Sequence, residues 1–127
     1  MEIKSSKKLV EEALSQIKTI TPQEALNQIE SNKCNLVDIR DIRELQKEGK
    51  IDKACHIPRG MLEFWLDPES DYFKSGKLDM GKPMVLFCAG GLRSALATKS
   101  LMEMGFKNAS HVDGGFASMK ANGFKIV

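Results

Sequence analysis

A thiol, two glycines, a guanidinium and a hydroxyl fall within one short stretch of the chain: Cys88, Ala89, Gly90, Gly91, Leu92, Arg93 and Ser94. Together they supply what nucleophilic catalysis at sulfur requires. The thiolate is the nucleophilic form of cysteine, and a helix N-terminus or a nearby cation brings its pKa from about 8.5 to between about 3.5 and 7.5. Arg93 offers the cation, and Ser94 offers a hydroxyl that either caps a helix or donates and accepts within the loop. The glycines let successive backbone N–H groups turn toward one centre, a geometry that favours an anion. A cysteine after an apolar strand is often only a small buried hydrophobe, and that is the reading of Cys34 and Cys55. At Cys88 the glycines, the arginine and a helix start reverse it.

The flanking elements give the loop its position. Met84, Val85, Leu86 and Phe87 form a short apolar run behind the turn residues Gly81 and Pro83, the pattern of a strand covered on both faces. From Ser94 the apolar residues Leu96, Leu101, Met102 and Met104 recur at roughly helical spacing, and Gly105 suits the helix end. Cys88 therefore sits between the C-terminal end of a strand and the N-terminus of a helix, where unpaired N–H donors and the positive end of the dipole collect.

Upstream, residues 6–17 place Leu9, Val10, Ala13, Leu14 and Ile17 on one face of an amphipathic helix. Thr21, Pro22 and Glu24 form a capping box with proline at the first helical position, and Ala25, Leu26 and Ile29 give that helix a core face. Residues 36–39 read as a strand, Asp41 opens a short helix that Gly49 ends, and residues 54–57 read as a strand closed by Pro58. Between Gly60 and Gly81 the pattern predicts short turns, with Phe64, Trp65, Leu66, Tyr72 and Phe73 packing as a cover. Strands alternating with helices predict an α/β fold, a small, mainly parallel sheet with helices on both faces, and ligands beyond the strands' C-terminal ends. Cys88 and Asp38 both fall at such ends.

Length and composition bound the function. The chain has 127 residues, 42% hydrophobic and 28% charged, which suits one globular domain. A net charge of +2, without a basic stripe interleaved with aromatics, argues against nucleic acid. No apolar run reaches the ~18 residues a membrane span needs, and the charged N-terminus lacks the apolar core of a secretory signal, so the cytoplasm is expected. Three cysteines without framework or metal-ligand spacing predict free thiols and no metal site.

In order and spacing, these pieces resemble the rhodanese, or sulfurtransferase, family. The loop from Cys88 to Ser94 matches the family's active loop at the thiol, at Gly91, at Arg93 and at the hydroxyl, with four residues between cysteine and arginine. NLVDIRDIREL, Asn35 to Leu45, is similar to the family's strand ending in Asp-x-Arg, and KACHIPRG, Lys53 to Gly60, to its His-Ile-Pro segment. HVDGGFASMKANGF, His111 to Phe124, resembles its closing strand, glycine pair and last helix. The resemblance runs from about Thr21 to Phe124. It implies a three-layer rhodanese-like fold for residues 21–127, preceded by an amphipathic helix extension over residues 1–20.

It also implies transfer of a sulfane sulfur through a persulfide on Cys88, from thiosulfate or a persulfide donor to a thiol, a protein thiol or cyanide, with no cofactor. Relatives that handle phosphate or arsenate have one more residue between cysteine and arginine, so the loop length favours sulfur; a tetrahedral oxyanion needs a wider ring of donors. A phosphatase or arsenate reductase, and a non-catalytic binding or sulfur-carrier module, stand as the alternatives.

The N–H groups of Ala89, Gly90, Gly91, Leu92 and Arg93, with the Ser94 hydroxyl, are expected to hold the charged sulfur. Arg93 or Arg59 is expected to orient the donor's oxygens. Arg59 replaces the family's usual small residue, and Ala89 and Gly90 stand where many users of thiosulfate carry a basic or polar residue, which points to a persulfide donor. Asp38 either hydrogen-bonds the loop or Arg93, or only shapes the turn before Asp41. Arg40 and Glu44, four apart, are expected to form a scaffold ion pair. His56 and His111 read as hydrogen-bonded structural residues, and Trp65 as core or cover.

Overall fold

A computed structural model describes residues 1–74, 76 and 78–127. Among them, five strands form one parallel sheet: β1 (Lys18–Ile20), β2 (Asn35–Asp38), β3 (Cys55–His56), β4 (Met84–Phe87) and β5 (Ala109–Val112), in the order β1-β5-β4-β2-β3. The central strands β2 and β4 are buried along their whole length, as apolar runs covered on both faces must be. Alternation sorts their side chains. Leu36, Val85 and Phe87 face one layer; Val37, Met84, Leu86 and, just past the strand end, Cys88 face the other.

Helices α1 (Ser6–Gln16), α2 (Pro22–Glu30), α3 (Ile42–Glu48), α4 (Leu62–Leu66), α5 (Leu92–Met104) and α6 (Gly115–Ala121) complete the molecule, with a 3-10 turn at Arg59–Met61. Ala25 and Ile29 of α2 and Phe116 and Met119 of α6 close the first layer. Leu62 and Leu66 of α4 and Ala97 and Leu101 of α5 close the second. Outside α5 lies α1, whose Val10 and Ala13 pack on Ala95. The result is the three-layer α/β fold, with a parallel sheet covered by helices on both faces, that the sequence predicts.

Local chemistry explains the helix starts. Thr21 Oγ1 accepts from the Glu24 N–H at 3.1 Å while the Glu24 carboxylate accepts from the Thr21 N–H at 3.4 Å, with Pro22 opening α2. Asp41 caps α3 in the same reciprocal way with Glu44. The sequence placed the start of α5 at Ser94; it begins at Leu92 instead, because Gly91 takes a left-handed φ of +107° and turns the chain into the helix at once. The N-terminal helix has a narrower apolar face than its periodicity suggests: Val10 and Ala13 are buried, whereas Leu9 and Leu14 remain exposed. Strand β1, which pairs with β5, has no counterpart in the sequence reading. Within the expected turns of residues 60–81 lies the short α4, and Trp65 packs against the core beside it. Among the described residues no helix is long and apolar enough to cross a membrane.

Candidate active site

Cys88 stands at the C-terminal edge of the sheet's middle strand, and its side chain turns under the loop that follows; the residue is only 1% exposed. The surrounding peptides point inward. Gly91 N–H donates to Sγ at 3.1 Å and Ser94 N–H at 3.4 Å, and the Ser94 hydroxyl lies 3.4 Å from the same sulfur. Burial pushes the thiol up, but the Ser94 hydroxyl together with the N–H groups of Ser94, Gly91 and Gly90 outweighs it and holds Cys88 below its ordinary value. Cys34 shows the contrast: burial without such donors pushes it up to about 11.

The glycine pair after β5 fixes the loop from behind. Gly114 and Gly115 have φ values of +75° and +58°. A Cβ on Gly115 would drive into the Cys88 carbonyl oxygen and come within 2.8 Å of the Ala89 carbonyl carbon and oxygen. Only glycine lets α6 approach this closely. The approach is used: Phe116 N–H donates to the Cys88 carbonyl at 2.8 Å and Ala117 N–H to that of Ala89 at 3.4 Å.

Arg93 reaches across to α3, where its guanidinium grips the Glu44 carboxylate with two bonds of 2.7 and 3.1 Å. The Arg93 bond holds Glu44 below the usual carboxylate range. This overturns the expected Arg40–Glu44 pair. Arg40 instead pairs with Asp38, fully buried, through bonds of 2.8 to 3.1 Å from its side chain and 3.0 Å from its N–H. The spacing rule failed because Arg40 precedes the Asp41 cap and so lies outside the helix. The Arg40 guanidinium also donates to the Gly49 carbonyl and lies 4.0 Å from the centroid of the Phe116 ring. The Asp38 carboxylate is thus taken up by Arg40 rather than by the loop N–H groups or Arg93, and it acts through Arg40 on the helix that supports Cys88.

Arg59 is not brought to the sulfur. Its guanidinium holds Glu63 at 2.9 and 3.0 Å and reaches Ser100, well along α5, at 3.4 Å. His56 hydrogen-bonds the Arg40 carbonyl at 2.7 Å, the structural role expected of it. His111 is hydrogen-bonded too, but at the site: Nδ1 is 2.8 Å from Ser94 Oγ and Nε2 is 2.9 Å from Thr19 Oγ1. Nothing in the local sequence around His111 signals this contact with Ser94. The register does, because His111 pairs with Leu86, whose side chain shares a face with Cys88, and with Thr19 on the other side. Leu92 projects into solvent from the loop, 67% exposed, and Gly90 faces open space.

The sequence model of the rhodanese-like domain matches residues 21–122. The thiosulfate sulfurtransferase GlpE of Shewanella oneidensis is 29% identical over 105 residues, 83% of this chain and 94% of that protein. A protein of unknown function from Rhodopseudomonas palustris, described as a possible tyrosine phosphatase, superposes with a TM-score of 0.91 at 41% identity, covering 100% of this chain and 97% of its own. The polysulfide-sulfur transferase homodimer of Wolinella succinogenes superposes with a TM-score of 0.77 at 35% identity, covering 95% and 85%.

Proposed function

We propose that this chain, which belongs to the rhodanese-like domain family, is a sulfurtransferase that carries sulfane sulfur as a persulfide on Cys88. The observation that carries the reading is the sulfur of Cys88 held by the N–H groups of Gly91 and Ser94 within a loop of four residues between cysteine and arginine. The Cys88 thiolate attacks the outer sulfur of the donor. A new S–S bond forms, the donor's S–S bond breaks, and its electron pair departs with the leaving thiolate or sulfite. An acceptor thiolate then attacks the outer sulfur of the persulfide and returns Cys88 as the thiolate, so the cycle is two displacements with no net oxidation and needs no cofactor. The loop N–H groups from Ala89 to Arg93 stabilise the charge that passes over the sulfur atoms.

Charge pairing favours an organic persulfide donor over thiosulfate. Thiosulfate is a dianion, and Arg93, Arg59 and Arg40 are each bound to a carboxylate of the same chain. A terminal persulfide sulfur asks for less positive charge. The enclosure of Cys88 suits a donor that presents its sulfur end-on. The likeness to a polysulfide-sulfur transferase supports a sulfane-sulfur donor.

Intact mass measurement after exposure to a persulfide donor, and separately to thiosulfate, tests the reading. The expected result is one added sulfur atom, removed by cyanide or a thiol and absent from Cys88→Ala, with faster loading from the persulfide. No added sulfur from either donor overturns it. The relative described as a possible tyrosine phosphatase motivates a control with a phosphoryl ester, for which no Cys88-dependent burst is expected: the four-residue loop is short, and Arg93 is engaged by Glu44.

A further inference from the structure

Behind the sulfur runs a row of hydrogen-bonding groups that neither the loop nor the donor accounts for. Ser94 Oγ lies between Cys88 Sγ at 3.4 Å and His111 Nδ1 at 2.8 Å, and His111 Nε2 meets Thr19 Oγ1 at 2.9 Å. We propose that His111, anchored by Thr19, is a positioning residue that fixes the Ser94 hydroxyl as a donor to Cys88, so that strand β1 takes part in activating the thiol. The inference rests on the reading of Cys88 as the nucleophile.

Hydrogen counting sets the direction of the row. A hydroxyl has one hydrogen, and a neutral imidazole has one N–H and one acceptor nitrogen. When Cys88 is a thiolate, the Ser94 O–H points to it, leaving Ser94 Oγ to accept from His111 Nδ1–H. His111 Nε2 then accepts from the Thr19 O–H. Every hydrogen in the row aims at the sulfur, and each bond strengthens the next. Without the His111 Nδ1–H, nothing in the row holds the Ser94 hydroxyl in the donating orientation. Burial holds His111 below its ordinary value, which keeps the ring in the neutral form this pattern uses. Arg93, with its partner Glu44, is the charged group acting on the sulfur from α5, and Asp113 acts on His111 from the end of β5.

The alkylation rate of Cys88 by iodoacetamide, followed by peptide mass against pH, reads the thiolate fraction without any sulfur donor. Cys34 and Cys55 are resolved as separate peptides. His111→Leu is expected to move the Cys88 midpoint upward and to lower the thiolate fraction at neutral pH by about three- to tenfold, the size of one ordinary hydrogen bond, since what is lost is the His111–Ser94 bond behind the sulfur. His111→Asn should restore most of it, because the Asn amide N–H stands where Nδ1–H stood. Thr19→Val should give a smaller shift in the same direction. Thr19 lies on an exposed edge of the sheet, so this variant decides the matter even if His111→Leu fails to fold. An unchanged midpoint in Thr19→Val and in every folded His111 variant overturns the proposal. Wild-type protein that shows the low midpoint but takes no sulfur from any donor overturns the sulfurtransferase reading instead and leaves the row standing.

Discussion

A guanidinium held in two bonds by a carboxylate has little field left for an anionic substrate, and the Arg93–Glu44 pair is only partly exposed. Replacing the carboxylate by an amide releases that charge beside the loop. Glu44→Gln is therefore expected to lower the KM for thiosulfate by about three- to tenfold, with little effect on a persulfide donor, and to cost less than ~1 kcal/mol of stability. Steady-state kinetics with both donors check this, and an equal change for the two would show that Arg93 does not discriminate by charge. Asp38 and Arg40 present the opposite case, since both side chains are buried. Asp38→Ala leaves an uncompensated guanidinium inside the protein, so a loss of about 3–5 kcal/mol in urea unfolding is expected. The thiol, the arginine and the hydroxyl were legible in the sequence because their spacing within one loop fixes them relative to each other. The partners Glu44, Thr19 and His111 were not legible there, because Glu44 and His111 meet the loop, and Thr19 meets His111, through a helix start or a sheet register far away in the chain. For Arg59 the i,i+4 spacing to Glu63 is local and readable, whereas the contact with Ser100, far along the chain on α5, is not.

At the scale of elements, the loop is clamped between two helix starts, α5 in front and α6 behind. Gly115 sets the second contact: its left-handed φ and its approach to the Cys88 and Ala89 carbonyls exclude a side chain. Gly115→Ala combines a disfavoured backbone with a collision against main-chain atoms that cannot rotate away. A loss of about 2 kcal/mol or more is expected in thermal or urea unfolding, with slower persulfide loading because the displaced carbonyl moves the sulfur. Unimpaired loading at wild-type stability would show that α6 does not brace the loop. Elements whose signals are local were readable from the chain: the Thr21–Pro22–Glu24 box starts α2, Gly105 ends α5, and the apolar run 84–87 is a strand. Strand β1 escaped notice because Lys18, Thr19 and Ile20 bury only Ile20 and show no alternation long enough to count. The width of α1's apolar face was overread because α5 presents the small Ala95 there, room for Val10 and Ala13 but not for Leu9 and Leu14.

For the whole molecule, the site and the stability of the fold share a titratable group. The parallel order β1-β5-β4-β2-β3 puts β5 beside β4, the strand that leads into Cys88, and so buries His111 within the sheet that carries the nucleophile. Burial holds its folded-state pKa below 6.5, opposed in part by Asp113. As pH falls through about 6.5, the unfolded chain takes up a proton that the folded protein refuses, so the unfolded state binds more protons and stability must rise with pH in this window. Above the unfolded value the ring is neutral in both states and the dependence vanishes; below the folded value both are charged and the loss is complete. The slope from this one group cannot exceed about 1.4 kcal/mol per pH unit. Carboxylates held low by their partners, Glu44 by Arg93 and Asp41 by Arg43, lose their contribution only in more acidic solution, so the two effects separate. Protonation would also make both ring nitrogens donors and oblige the Thr19 hydroxyl to accept instead of donate, reversing the far end of the row behind Cys88. Urea midpoints measured at pH 5.5 and 7.5 should therefore fall in acid for the wild type and fall distinctly less for His111→Asn, which carries no titrating ring. An equal fall in both proteins would place the acid sensitivity elsewhere and show that His111 is free to charge in the folded state.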